Sequence, residues 1–397
     1  MTISLTGRSP AHSRPTTSGT HRTSPPALRL PALSPPTARR TRPGRPLAFP
    51  ALSRRSLLVG AGATAAGLAL AACGSSGGSK DTVTVVTHDS FTLPEDLIAA
   101  FEQDTGLTLS IVASGDGGEL VNKLVLTKDA PLGDAVFGVD NSFASRVLTE
   151  GVIDGSAEVT LPEGADQYVV DGTPALAPID FGEVCVNVDT AWFSVSGLTP
   201  PASFEDLLKP EYANFFVAIN PTTSSTGMSF LLATIGHFGV AGFAEYWKGL
   251  VANGTRIDEG WSDAYYTDFT AGGEGGAYPV VVSYSSSPAS TLTEDGTVST
   301  TAALHSTATR QVEYAGVLAG AANPEGGRAF VEWMLSTEVQ TAIPENMYMY
   351  PVNPEAPVPE DIERFGAPSQ QPIVVDAAAI ATNRESWLAT WSEAVGA

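Results

Sequence analysis

The residue types in this sequence that could do chemistry are acids, glycines, hydroxyls and aromatic rings, and they gather where predicted strands end. Ser114-Gly115-Asp116-Gly117-Gly118 follows one strand, Asp140-Asn141 another, and Asp180 comes just after Pro178. Asn220-Pro221-Thr222-Thr223-Ser224-Ser225-Thr226-Gly227 precedes a helix, where hydroxyls and free amides can receive an anion or a hydroxyl group. Rings come from Trp261 and Tyr265 in GWSDAYY, Tyr284 in VVVSYSSSP, and Tyr348 with Tyr350 in MYMYP. A carboxylate beside several rings is suited to holding a flat organic cation. One desolvated cation–π contact contributes about 2 kcal/mol, whereas nanomolar binding needs roughly 12 kcal/mol, so an acid and several rings would have to converge. The candidate ligand contacts are therefore Asp116, Gly117, Asp140, Asp180, Ser224, Trp261, Tyr265, Tyr284 and Tyr348. Plainer readings stand beside them: a turn for the Asp116 loop, a helix cap or hinge for Asp140 and Asp180, an N-cap for one hydroxyl of 220–227, and core packing for any single ring.

Other chemistries lack their motifs. There is no HExxH, paired CxxC, Walker loop or GxSxG elbow. His88, His237 and His305, the histidines beyond residue 72, show no ligand-like spacing, so neither metal nor cofactor is expected. Cys185 lies in Glu183-Val184-Cys185-Val186-Asn187-Val188, a strand-like run in which a lone cysteine reads as a small buried hydrophobe; the alternative is a reactive nucleophile.

The elements that position these residues begin after a leader. Ser53-Arg54-Arg55-Ser56-Leu57-Leu58, a Gly/Ala-rich apolar stretch and then Leu70-Ala71-Ala72-Cys73-Gly74 describe a lipoprotein export signal, with the twin-arginine route favoured by the arginine pair. Leu57 to Ala72 is 16 residues, short of the roughly 20 a membrane span needs. The expectation is a mature protein starting at Cys73, lipid-anchored and working outside the cytoplasm, with residues 1–50 an overlong leader or sequence upstream of the true start. Lipidation of Cys73 would leave Cys185 without a disulfide partner. Ten of the 21 basic residues and none of the 43 acidic ones precede Cys73, so the remainder carries 11 basic against 43 acidic residues, a net charge of −32. Such acidity argues against nucleic acid as a partner, because phosphate binding needs basic patches.

From Thr82 the pattern alternates: strand 82–87, helix 94–104, strand 109–113, helix 119–128, strand 134–138, helix 142–150. This predicts an α/β fold. After a loop over 157–178 come a strand pair with Asp180 at its head, strands at 215–219 and 279–283, helices at 227–238 and 241–251, a strand at 311–318 and a helix at 324–336, with 271–277 read as a surface loop. The 325 residues from 73 on predict two lobes with a cleft between them, a common place for ligands.

The ordered series THDSF (87–91), DAVFGVDN (134–141), PIDFG (178–182), NPTTSSTG (220–227), GWSDAY (260–265), VVSYSSSPA (281–289), AIPENMYMYPV (342–352) and RESWLATW (384–391) closely resembles the thiamine-binding proteins of bacterial ABC importers. The resemblance covers nearly the whole chain beyond the leader. It implies a two-lobed type II periplasmic-binding fold, each lobe a mixed sheet flanked by helices, capture of thiamine or its phosphates, and delivery to a membrane permease driven by a separate ATPase. Lobe 1 is expected over 81–180 plus 306–345 and lobe 2 over 181–305 plus 346–397, with 73–80 a lipidated tether, in a non-catalytic monomer. By the same resemblance Asp116 is the counter-charge, Trp261, Tyr284 and Tyr348 are aromatic walls, and Ser224 faces the hydroxyethyl or phosphate end. The sequence departs from the family at His88, where tyrosine is frequent, at Tyr348, where tryptophan is common, and at Ser290, where the family can have a further tyrosine. Two alternatives share the fold: a ferric-ion binder, suggested by Tyr265-Tyr266, and a thiamine-degrading enzyme using Cys185 as nucleophile.

Overall fold

A computed structural model describes residues 81–397 apart from Asp171 and Glu274. The export signal, Cys73 and the tether lie outside the described residues. The chain opens with the expected alternation: β1 (Thr82–Thr87), α1 (Glu95–Thr105), β2 (Thr108–Ala113), α2 (Gly117–Leu126), β3 (Ala135–Asp140) and α3 (Ala144–Thr149). Helix α1 starts behind Pro94 with two acids in its first turn, which the helix dipole favours, and stops at Gly106, whose φ of 72° suits glycine. Then come β4 (Leu176–Asp189), α4 (Thr190–Ser196), β5 (Phe216–Ile219), α5 (Ser225–Phe238), α6 (Phe243–Ala252), β6 (Arg256–Asp258), β7 (Val280–Tyr284) and β8 (Thr301–Val317). The chain ends with α7 (Pro324–Met334), α8 (Thr337–Met347), β9 (Tyr350–Pro351), α9 (Glu360–Phe365) and α10 (Ala377–Val395).

One sheet carries these strands in the order β2-β1-β3-β8-β4-β7-β5-β6, with β9 added beside β4. Its two ends are parallel, β2-β1-β3 and β7-β5-β6, and the antiparallel pair β8-β4 joins them. Both central strands are long, and their register shifts between Pro178 and Asp180 and again between Val184 and Val186. Such irregularities bend strands and increase twist. At one end, Phe330, Val331 and Met334 of α7 and Val339 and Ile343 of α8 pack with Val83, Val85, Ala135 and Phe137. At the other, the nearly all-buried α5 packs with Phe216 to Ile219, Trp247 and Trp391.

Two expectations need correction. The strand expected at 311–318 is the last part of the 17-residue β8, whose first half, rich in Ala, Thr and Ser, lacks the apolar alternation that reveals a strand. The loop at 271–277 is more than surface, because Ala271 and Gly272 are half-buried and line the cavity described next.

Candidate functional site

A cavity of about 360 Å³ lies where α2, α5, β7 and β8 meet the turn after β6 and the end of α8. It is built from strand ends and helix starts. Asp116 follows β2 and caps α2, its Oδ1 accepting from the backbone N–H of Gly117 at 2.5 Å. That oxygen also accepts from the N–H of Ser225 at the start of α5 (3.1 Å), while Oδ2 accepts from the N–H of Trp261 (3.0 Å). One carboxylate thus joins three separate segments. Burial raises the pKa of Asp116 above the ordinary value, opposed by these N–H groups and by the Ser224 hydroxyl. The approach of α2 to the loop before α5 depends on absent side chains: a Cβ on Gly118 would lie 2.6 Å from the Thr223 backbone, and one on Gly117 would lie 2.0 Å from Ser225 Oγ. Across this contact the N–H of Glu119 donates to the Thr223 carbonyl at 3.0 Å.

The aromatic wall comes from a π-helical turn over Asp263–Asp268 and from the end of β7. Trp261 and Tyr265 stack at 5.1 Å and 15°, Tyr266 meets Trp261 edge-on at 5.2 Å, and Tyr284 lies 6.1 Å from Trp261. Hydroxyls behind the rings fix them. Trp261 Nε1 donates to Ser283 Oγ at 2.9 Å, Tyr265 Oη meets Ser290 Oγ at 3.1 Å, and Tyr284 Oη contacts Thr226 Oγ1 and Gln311 Oε1. Tyr348 completes the lining from the left-handed cap that ends α8, at φ 56°, a backbone region uncommon for non-glycine residues.

Two further carboxylates that sequence reasoning missed line the cavity: the exposed Asp89, after β1, and Glu313, which faces it from β8. Glu313 is 6% exposed and pairs across the sheet with Asp140 on β3 and Asp180 on β4. Three acids therefore stand in one row across three strands, where like charges oppose one another. The result is protonation. Burial, then the charge of Glu313, raises Asp180 well above the carboxylate range. Burial raises Asp140 to about 7, with Ser142 resisting and Glu313 adding to the rise. His88, just after β1, places Nε2 3.4 Å from Glu313 Oε1. Burial works to lower the pKa of His88, but the negative charges of Glu313, Asp116 and Asp89 together outweigh it and the net shift is upward. The signal in the sequence was an acid between Val312 and Tyr314 in the apolar closing run Val312–Val317 of β8.

The structure brings six of the nine sequence candidates into the lining: Asp116, Gly117, Trp261, Tyr265, Tyr284 and Tyr348. It leaves three behind the wall. Asp140 is fully buried and its Oδ1 accepts from the Ser142 N–H and hydroxyl and the Phe143 N–H, so it closes the turn into α3. Asp180 is fully buried inside β4 beside Glu313, in a strand rather than at its head. Ser224 is fully buried, with its oxygen accepting from the Gly227 N–H as the cap of α5. The positions of family departure, His88, Ser290 and Tyr348, all line the cavity. Cys185 does not: it is fully buried in β4, where burial pushes its thiol pKa up and removes the thiolate a nucleophile needs. No group of three or more His, Cys, Asp or Glu is placed to hold a metal among the described residues.

What this arrangement can do is bind. Its lining contains acids and stacked rings and, among the described residues, neither lysine nor arginine. A family model described as "Bacterial extracellular solute-binding protein" matches residues 132–372. The thiamine-binding periplasmic protein of Escherichia coli (strain K12) is 28% identical over 325 residues, covering 80% of this chain and 94% of that protein. A solved periplasmic thiamin binding protein superposes with a TM-score of 0.68 at 28% identity, covering 79% of this chain and 96% of the other. The apo ferric ion-binding protein A of Pasteurella haemolytica gives 0.60 at 17% identity, covering 79% and 98%, a likeness of fold alone.

Proposed function

Because this chain belongs to the bacterial extracellular solute-binding proteins, we propose that it is the substrate-binding component of an ABC importer and that its cavity captures thiamine. The observation that carries the reading is the lining itself. Thiamine joins a flat aminopyrimidine to a permanently cationic thiazolium, and the cavity offers stacked rings with three carboxylates, Asp89, Asp116 and Glu313, and neither lysine nor arginine among its described residues. The thiamine-binding relatives, which span about 80% of this chain, support the same ligand. The cavity volume of about 360 Å³ lies at the lower end of small-ligand pockets.

In this reading the two ends of the sheet are the lobes, 81–180 with 306–345 and 181–305 with 346–397, and the β8-β4 pair joins them. The ligand-bound state is closed, because only there do α2 and its carboxylate meet α5 and Trp261. The ligand shifts the population toward that state by binding it more tightly. Export through the twin-arginine route and lipidation at Cys73 would hold a monomer outside the cytoplasm beside its permease and the ATPase that drives it. Its role is delivery without catalysis.

Calorimetric titration of the protein, unfolded and refolded to strip any carried ligand, tests this against thiamine and thiamine diphosphate. Submicromolar binding to either supports the receptor reading and ranks the two. Absence of both heat and a melting-temperature shift with either ligand would overturn thiamine as the solute.

A further inference from the structure

Asp116 and Glu313, two of the three carboxylates in the cavity lining, differ in how their oxygens are occupied. Asp116 accepts three backbone N–H groups, from Gly117, Ser225 and Trp261, and the nearby Ser224 hydroxyl also favours its charged form. An ionised carboxylate has about four lone-pair sites. Asp116 is therefore close to saturated, and what it still offers a ligand is charge. Glu313 is 6% exposed, yet among the described residues no backbone N–H donates to its side chain. Its neighbours are Asp180, neither of whose buried oxygens has a hydrogen-bond partner among the described residues, and His88, whose Nε2 lies 3.4 Å away without making a hydrogen bond. That leaves acceptor sites on a buried carboxylate directed into the cavity, a costly condition unless a ligand supplies donors.

The halves of thiamine differ in the complementary way. The thiazolium ring nitrogen is quaternary and carries no N–H, so the ring presents charge without a donor. The aminopyrimidine is uncharged and carries an exocyclic amino group. We propose that Glu313, backed by Asp180 and flanked by His88, is the subsite that accepts a hydrogen bond from the aminopyrimidine, while Asp116 and the rings around Trp261 hold the thiazolium. This assignment rests on the thiamine reading. It makes Glu313 the residue that distinguishes thiamine from other flat cations of similar size, since a ligand without an N–H donor would leave the buried carboxylate unpaired.

The test is a cycle of titrations crossing two ligands with the full protein and its variants. The ligands are thiamine and an analogue in which hydrogen replaces the pyrimidine amino group. Glu313→Met removes the acceptor at similar length, and Glu313→Gln retains one acceptor oxygen. The wild-type protein should bind the analogue at least tenfold more weakly than thiamine. Glu313→Met should lose at least tenfold toward thiamine and only about twofold toward the analogue, with Glu313→Gln between the wild type and Glu313→Met. Equal wild-type affinity for the two ligands overturns the assignment without any variant, which also covers a variant that fails to fold. Equal losses toward both ligands in Glu313→Met overturn it as well, because Glu313 would then be acting on the cavity and not on the amino group. Failure of the wild type to bind thiamine is a separate result that removes the reading beneath it.

Discussion

Replacing Asp116 by Asn removes one oxygen and the charge while keeping the size of the side chain. Oδ1 can go on accepting from Gly117 and Ser225, but an amide nitrogen now occupies the place of Oδ2 and faces the Trp261 N–H across 3.0 Å. Two donors then oppose each other. A buried N–H left without an acceptor costs about 1–3 kcal/mol, and hydrogen bonds to a charged group are worth about twice those to a neutral one, so the two retained bonds weaken as well. The sum is about 3 kcal/mol against the state in which α2 meets α5 and Trp261, or on the order of 100-fold in Kd if ligand binds only that state. Loss of the counter-charge acts in the same direction. The cap of α2 keeps an acceptor, so stability of the ligand-free protein should fall by about 1 kcal/mol or less. Titration calorimetry with thiamine reads the affinity and a thermal melt without ligand reads the fold. A Kd within threefold of wild type would refute the reasoning, since the carboxylate would then neither hold the three segments together nor be felt by the cation.

Trp261→Ala should weaken thiamine binding by about 30-fold, the equivalent of about 2 kcal/mol for a desolvated cation–π contact; unchanged affinity by titration would remove Trp261 from the site. Gly118 lies outside the lining, yet Gly118→Ala places a Cβ 2.6 Å from the Thr223 backbone. It should lower affinity at least tenfold and raise the radius of gyration of the thiamine-saturated protein in solution scattering, and a radius equal to wild type would count against closure through this contact. Asp140, raised to about 7 chiefly by burial, holds a proton in the fold that the unfolded chain releases near pH 4. Folding stability should therefore fall as pH rises between about 4 and 7, by at most about 1.4 kcal/mol per pH unit. Asp180 and His88, both shifted upward, act with the same sign. The ligand-free protein should melt at a higher temperature near about pH 5 than near about pH 8, with Asp140→Asn flattening the difference, and a melt that rises with pH would contradict the assignment. Cys73→Ala should release the protein from the membrane fraction, and continued sedimentation with membranes would exclude Cys73 as the anchor.

The parallel ends of the sheet were legible because period-two apolar runs such as Thr82 to Thr87 and short buried runs such as Val280 to Tyr284 carry their fold in local pattern. The first half of β8 was not. The pairing of Thr301 to Leu304 with Val186 to Asp189 of β4 supplied the order, so this stretch could carry small and polar residues among its buried positions. Helix α10 escaped for a related reason: its Ala, Thr and Asn positions show little amphipathic contrast, and what fixes it is Trp391 meeting Trp247 of α6 edge-on at 5.7 Å. Rings were easy to find because Trp261, Tyr265 and Tyr284 stand beside turn residues. Acids were harder. Asp116, Asp140 and Asp180 look alike in sequence, each at or near a strand end, and only burial and partners separate a cavity wall from a turn or a strand interior.

That separation follows from where each acid finds its donors. Asp140 Oδ1 is occupied by its own next residues, Ser142 and Phe143, and its Oδ2 is buried behind the wall without a hydrogen-bond partner among the described residues, so neither oxygen reaches the cavity. Asp116 is satisfied only when α5 and Trp261 are in place, so its hydrogen bonds report on the approach of distant segments and its charge is presented to the cavity as a consequence of that approach. Glu313 is the remaining case, an acid whose strand neighbours are also acids and whose unused acceptors therefore have nowhere to turn but the cavity. A single row of like charges across β3, β8 and β4 would be a defect in a sheet that only had to be stable. Beside a cavity it places one carboxylate short of donors, because burial pushes Asp180 and Asp140 toward the protonated form while Glu313 is the member of the row that faces the cavity.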